Sequence, residues 1–315
     1  MNLLLRNPLC AADTYKYGLW LMDPAGITEK SGYVEPRGGS DREVVNFGVQ
    51  AYIKSYLSEP YTMDMVEEAK DILDQHVYPG YFNYDGFKRL VEKHGGRPPI
   101  EIEAAPEGMP LTPGNVQVQV RSTDPKFAWL ATWVETQLLR GIWYPSSVAT
   151  LSREVKRVIY AGLQRTADAP DEAINFKLHD FGGRGASSGE SAMLGGMGHL
   201  VNFLGTDTVE ALWGARKFYG EPCAGFSVPA SEHSIATTWG AAREVEYVRH
   251  MIANFDREGA IFSVVGDSYD IFGFVRDVIL GELLDDVRNL KGKLVIRPDS
   301  GDATETPIQV IEQIM

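Results

Sequence analysis

Cysteine is almost absent from this chain. Only Cys10 and Cys223 occur in 315 residues, so no disulfide framework can carry the fold, and free thiols in a reducing compartment are expected. Long apolar runs are missing too. Leu3-Leu4-Leu5 is too short for a signal segment and is interrupted by Arg6 and Asn7, and no stretch approaches the ~20 residues that a membrane span needs. A soluble, cytoplasmic protein with no membrane partner is the expectation. Positive charge is in deficit: 30 Lys and Arg against 43 Asp and Glu give −13. That argues against general binding to nucleic acid or anionic membranes, while leaving room for a few arginines in a cleft. The six histidines include His76, His94, His199 and His250, and none shows a metal-ligand spacing. No P-loop or G-x-G-x-x-G stands in the strand–helix setting it requires.

What the chain does have is core. Hydrophobic residues make up 44% of it, enough for one or two domains. Residues 11–40 are rich in Gly, Pro, Tyr and charge and read as loops around short extended pieces. Apolar residues at three- and four-residue steps from Val44 to Leu57 predict a helix, as do Met63–His76 and residues 84–94, the last stopped by Gly95-Gly96. Alternation in Ile100–Ala104 and Val116–Val120 predicts two half-exposed antiparallel strands. Residues 126–144, with Trp129, Trp133 and Trp143, and the basic amphipathic stretch 147–165 predict two further helices.

From about Ile174 the pattern becomes strand, loop, helix, repeated. Strands are expected at 175–179, 200–204, 224–228, 261–265 and 293–297, the signature of parallel βα units. The chain therefore divides into an N-terminal α+β domain, residues 1–165, and an α/β domain, residues 166–315. Five βα units against the eight of a closed barrel read as an incomplete β/α barrel, with a small open sheet as the alternative.

The ends of those five strands are where ligands would bind. Asp180-Phe181-Gly182-Gly183-Arg184-Gly185 ends the first; its glycines let backbone N–H groups approach an anion, and Arg184 could grip phosphate. The bland reading is a glycine-rich turn with a surface arginine. Asp207 ends the second, either as a helix cap or as an acceptor for a ligand amide. Glu232-His233 ends the third, and His233 could act as acid, base or nucleophile with Asp267, from the fourth end, as its carboxylate partner. His179 is placed on the opposite side of its strand from Asp180. Arg297-Pro298-Asp299-Ser300-Gly301-Asp302 ends the fifth, suited to ribose hydroxyls, phosphate and Mg²⁺, or else a polar surface turn. Together the five endings suggest a site for an anionic substrate with a metal.

Motifs in order along the chain carry a resemblance: Asp13-Thr14-Tyr15-Lys16, KLHDFGGRGASS, HLVNFLGTDT, SVPASEHS, DSYDI and IRPDSG. The sequence resembles the nicotinamide phosphoribosyltransferases, type II phosphoribosyltransferases that make nicotinamide mononucleotide and pyrophosphate from nicotinamide and 5-phosphoribosyl 1-pyrophosphate (PRPP). The resemblance implies that Phe181 and Tyr15 sandwich the pyridine ring, Tyr15 coming from the second subunit of a homodimer. It implies that Asp207 accepts from the carboxamide, Arg184 and Arg297 bind phosphate, Asp299 holds ribose hydroxyls and Arg37 reaches pyrophosphate across the dimer. His233 is implied as a phosphohistidine coupling ATP hydrolysis to synthesis, oriented by Glu232 and Asp267, with Ser263 lining the base tunnel. Mg²⁺ is implied on the pyrophosphate, with no direct protein ligand. The family usually has Tyr where this chain has Gly183, and family chains continue into strands with a glycine-rich phosphate loop. Two alternatives stay open: a shortened or split subunit that binds nicotinamide without catalysis, and a nicotinate-specific relative, against which Asp207 stands.

Overall fold

The structure is a computed structural model and describes residues 7–37 and 43–315; the Leu3-Leu4-Leu5 run lies outside these. Two compact units divide at Phe226 and Ser227. The first holds β1 (Ser31–Val34), β2 (Val44–Val45), β3 (Ile100–Ala104), β4 (Pro110–Leu111), β5 (Val118–Ser122), β6 (His179–Asp180) and β7 (Gly205–Thr206). The second holds β8 (Ile261–Val265) and β9 (Lys293–Arg297).

In the first unit, β1, β5 and β3 form an antiparallel sheet with β5 central. Alternation decides its faces: Val118, Val120 and Ser122 are buried while Gln119 and Arg121 are exposed. Helix Met63–His76 is started by Thr62, whose hydroxyl accepts from the Met65 N–H, and buries Val66, Ala69 and Leu73 on one face. Helix Tyr84–His94 is capped by Asn83 and buries Phe87 and Leu90. These faces meet an aromatic core. Phe82 stacks on Phe87 at 4.9 Å, and Phe87 meets the fully buried Trp133 edge-on at 5.1 Å.

Three sequence expectations change here. Val44 and Val45 are a strand, paired with Leu111 and Pro110, and the helix after them is confined to Val49–Tyr52 with a π-helical turn through Leu57. The two helices expected at 126–144 and 147–165 are largely one, Glu135–Thr166, which runs through Pro145. Packing overrides the local cost of proline: Leu138, Ile142, Pro145, Ser146 and Ala149 are all buried. The Ser146 hydroxyl also takes the Phe47 N–H, at 3.0 Å, and Thr150 takes that of Val45, at 2.9 Å. The first three parallel strands are shorter and shifted. Residues 174–176 are a 3-10 turn, Leu200 ends a helix, and the third strand shrinks to single bridges at Phe226 and Ala230.

That helix, Gly189–Leu200, lies against Glu135–Thr166. A Cβ on Gly198 would come within 2.6 Å of the Pro145 carbonyl oxygen, so only glycine permits this approach. This tight contact lies within the compact unit that extends to Phe226, whereas the strand–loop–helix pattern put the domain boundary at 165/166. The first βα units pack on the long helix and stay with it.

The second unit is parallel. β8 and β9 pair over five residues, Ile261 with Lys293 through Val265 with Arg297, and Ala230 bridges to Ser263. Phe262, Val264 and Val265 are buried against Tyr247, Val248, Phe274 and Ile279 from the flanking helices. Near-continuous burial along β8 is what a strand covered on both faces requires. The parallel pairs β6–β7 and β8–β9 beside an antiparallel N-terminal sheet make the fold α/β. Among the described residues no helix is long and apolar enough to cross a membrane.

Candidate active site

Polar side chains gather at the ends of parallel strands in both units. In the first, β6 and β7 pair His179 with Gly205 and Asp180 with Thr206. Asp180 is consumed locally: one carboxylate oxygen accepts the Gly182 N–H at 2.8 Å and the other the Thr206 hydroxyl at 3.2 Å. It shapes the glycine turn 182–185 and is no part of an anion grip. His179 projects the other way. Its Nε2 lies 2.6 Å from Asp207 Oδ1, and its ring centroid is 4.8 Å from that of Phe181, tilted 36°. The Asp207 N–H donates to the Asp180 carbonyl at 2.8 Å, which fixes the backbone beneath that carboxylate. Thr208, not Asp207, stands at the N-cap of Val209–Gly214. Phe181 presents about half its surface, 52%, to solvent. An aromatic face stands beside an oriented carboxylate, a pairing that can stack a planar heterocycle and accept from an amide on it.

Below this lies a buried support. His199 is 5% exposed; its Nε2 meets the Gly205 carbonyl at 3.0 Å and its Nδ1 the Ser152 hydroxyl at 3.3 Å. Burial pushes the His199 pKa below its ordinary value, so a neutral imidazole spans the two partners. Asp207 also borders a cavity of about 810 Å³ walled by Tyr56, Glu190, Met193, Val209, Trp213 and Phe218.

The remaining sites expected in this unit stand apart. Tyr15 sits in the short 3-10 turn Thr14–Tyr17, is 54% exposed, and has Lys16 Nζ 5.0 Å from its ring centroid. No ring contact joins it to Phe181 in one chain. Arg184 and Arg37 are exposed and form no ion pair among the described residues.

In the second unit the centre is His233, the first residue of helix His233–Trp239. Its Nε2 lies 3.0 Å from Asp267 Oδ1, and its Nδ1 faces Asp299 Oδ2 at 3.7 Å. The Asp267 side chain is only 3% exposed, and its second oxygen accepts the Asp299 N–H at 2.9 Å and the Ser300 hydroxyl at 2.5 Å. Burial alone would raise its pKa; the hydrogen bonds from Ser300, His233 and the Asp299 backbone outweigh it and hold the carboxyl below its ordinary value. Arg297 Nε lies 3.5 Å from Asp299 Oδ1. The imidazole is thus clamped on one nitrogen by a buried carboxylate and remains 45% exposed. Such a group can take a proton or a phosphoryl group.

Glu232 does not join this clamp. Its carboxylate takes the Ser234 hydroxyl, and Asp299 occupies the place expected for it as the second acid near His233. Adjacent residues at an extended-to-helical junction point apart, so Glu232 cannot follow His233 inward. Ser263 acts through its backbone, with its N–H on the Pro229 carbonyl at 2.8 Å and its carbonyl on the Ser231 N–H at 3.0 Å. Asp302 caps the helix Glu305–Ile314, accepting the Thr304 and Glu305 N–H groups at 2.8 and 3.0 Å. Sequence reasoning missed His179 as a partner of Asp207, and Ser300 as a donor to Asp267.

Comparison with known proteins gives the lineage. Residues 7–102 match the nicotinamide phosphoribosyltransferase N-terminal domain, and residues 176–315 the nicotinate phosphoribosyltransferase (NAPRTase) family. The chain is 45% identical to a nicotinamide phosphoribosyltransferase of Xanthomonas campestris over 99% of its own length and 65% of the relative's. It is 30% identical to one from Acinetobacter baylyi over 97% of itself and 63% of that protein. The chain therefore spans a little under two thirds of these relatives. In fold it is similar to human nicotinic acid phosphoribosyltransferase, with TM-score 0.61 and 18% identity over 96% of this chain and 64% of that one. It is likewise similar to nicotinate-nucleotide pyrophosphorylase from Pyrococcus furiosus, with TM-score 0.62 and 15% identity over 100% and 64%. These parallel βα units with their N-terminal antiparallel sheet are the type II phosphoribosyltransferase fold, and the chain belongs to the nicotinamide phosphoribosyltransferase family.

Proposed function

We propose that the chain carries phosphoribosyl transfer from PRPP to nicotinamide, the salvage step that yields nicotinamide mononucleotide and pyrophosphate. The ring nitrogen of nicotinamide attacks the anomeric carbon of PRPP. The bond from that carbon to pyrophosphate breaks, and the leaving group departs with its electron pair. Such a displacement needs little covalent help on the sugar; it needs a positioned base and charge on the leaving group. Phe181 stacks the pyridine and Asp207 accepts from its carboxamide. Asp299 holds the ribose hydroxyls. Arg297, Arg184 and Arg37 answer the phosphates, and Mg²⁺ carried on PRPP would supply positive charge for the departing pyrophosphate. Tyr15 and Arg37 serve the neighbouring subunit of a homodimer.

His233 is the proposed acceptor of the ATP γ-phosphoryl group, with Asp267 holding its Nε2 side. Transfer breaks the terminal P–O bond of ATP and forms an N–P bond on the imidazole, and water later releases phosphate. The added charge strengthens the hold on magnesium and pyrophosphate.

The observation that carries this reading is Asp207 placed beside Phe181. A fixed carboxylate accepts from a carboxamide and repels a carboxylate, which favours nicotinamide over nicotinate. The test is direct. Purified chain with nicotinamide, PRPP, Mg²⁺ and ATP is assayed for the mononucleotide, with nicotinate in parallel. Nicotinamide mononucleotide in excess is expected. Nicotinamide binding without product would instead assign a non-catalytic binding subunit, and preference for nicotinate would overturn the role of Asp207.

A further inference from the structure

His179 has no part in the reaction as set out above, yet its imidazole is the group that holds the proposed carboxamide acceptor. The placement follows from the β6–β7 ladder. His179 pairs with Gly205, and side chains two apart on a strand share a face, so Asp207 stands on the face of Gly205. Because residue 205 is glycine, that face is open. A Cβ there would lie 2.7 Å from His179 Nδ1. The imidazole lies across the vacant position and reaches the next residue on that face, Asp207, at 2.6 Å. Its ring also backs Phe181. One side chain thus sets both the stacking ring and the acceptor.

Stability does not account for the pair. The side chains are 28% and 39% exposed, and pairs so open to solvent add little to stability. The backbone of Asp207 is already held by the Asp180 carbonyl. The chemistry of the donor matters more. An ionised carboxylate offers only acceptors, so the Nε2 facing it is assigned the proton. An imidazole N–H orients the carboxylate without bringing the permanent positive charge that lysine or arginine would place there. Orientation serves the carboxamide; the retained charge works against a ligand carboxylate.

We infer that His179 is a positioning residue for base selection: its Nε2–H fixes the Asp207 carboxylate toward the carboxamide while leaving it anionic. The inference rests on Asp207 being the carboxamide acceptor. Its test is calorimetric titration of the chain with nicotinamide and with nicotinate at pH 8, where free imidazole is neutral. His179→Leu removes the donor; His179→Gln keeps an N–H near the Nε2 position. Asp207→Asn and the double variant Asp207→Asn, His179→Leu complete a cycle, and thermal melts identify any variant that does not fold. A donor to a charged acceptor predicts that His179→Leu weakens nicotinamide about tenfold or more and narrows its preference over nicotinate. His179→Gln should recover most of both. In the Asp207→Asn background, the further change should be under about threefold, since the group being oriented has lost its charge. Equal losses for Leu and Gln, or a full loss in the Asp207→Asn background, would overturn the role of His179 while leaving Asp207 as acceptor. Unchanged nicotinamide affinity in Asp207→Asn would overturn the acceptor reading itself, and this inference with it.

Discussion

Asp267→Asn is the substitution on which the second cluster turns. The native carboxylate is almost fully buried and accepts from three donors: His233 Nε2, the Asp299 N–H and the Ser300 hydroxyl. Asparagine has nearly the same shape. Its one oxygen can still accept, but its NH₂ then faces at least one donor. A hydrogen bond to a charged group contributes about 1.5–3 kcal/mol, and the variant loses at least one. A loss of about 2 kcal/mol corresponds to roughly a 30-fold change in a local opening equilibrium. Hydrogen exchange read by mass spectrometry should therefore show roughly 30-fold lower protection in peptides covering 229–240 and 293–302. Residues 61–94, in the other unit, should be unchanged. The pH dependence has a definite sign. The folded carboxyl titrates below its ordinary value, so its contribution is complete above the unfolded pKa, about 3.9, and is lost only as pH falls through the lower folded value. The difference between parent and variant, corrected for intrinsic exchange, should stay flat from pH 8 to about 4.5 and narrow below that. Unaltered protection would refute the clamp.

Other expectations follow from single contacts. His233→Ala should abolish the enhancement by ATP and leave a slow ATP-independent synthesis, seen by assaying the mononucleotide with and without ATP; an unchanged ATP effect would remove His233 from the coupling. His199 titrates below its ordinary value because it is buried. Its contribution to stability is complete above about pH 6.5 and is lost as pH falls through the folded value. The urea midpoint of the parent should therefore drop more between pH 7 and 5 than that of His199→Gln. Gly198→Ala would put a methyl group 2.6 Å from the Pro145 carbonyl oxygen, and overpacking of this kind costs about 1–3 kcal/mol, read as a lower Tm with β8 and β9 still protected from exchange.

The elements that sequence located well are those whose boundaries are set locally. Helix Met63–His76 shows its apolar periodicity and helix Tyr84–His94 its terminal Gly-Gly, and in the structure both begin on local side-chain caps, Thr62 and Asn83. β8 and β9 are continuous apolar runs bounded by polar turns, and they lie where the pattern put them. The failures share a different cause. Pro145 reads as a helix end, yet the helix continues because its buried face and the hydroxyls of Ser146 and Thr150 are held by a segment about 100 residues away. The run 200–204 reads as a strand because it is apolar. In the structure its start belongs to a helix whose glycines let it approach the long helix, and its apolar side chains serve that contact. Period and composition describe a residue's own neighbourhood; they do not contain a partner that distant.

The site shows the same division more sharply. His233 with Asp267 was legible because each stands at a strand end beside a loop, and strand ends in parallel units converge. The resemblance implied Glu232 as an orienting partner of His233, but the two are adjacent, and extended backbone turns neighbours to opposite sides. Asp299 takes that place because the β8–β9 register aligns Val265 with Arg297, carrying residues 267 and 299 past their strand ends together. His179 follows the same rule from the other direction. Alternation separates it from Asp180, as the sequence implied, but whom it meets depends on which residue of β7 lies opposite. The pairing with Gly205 decides that: any side chain at 205 would occupy the space through which the imidazole reaches Asp207. The spacing HDFGG contains the donor, and GTDT contains both the gap and the acceptor. What joins them is a two-residue parallel register, the one quantity that neither segment specifies alone.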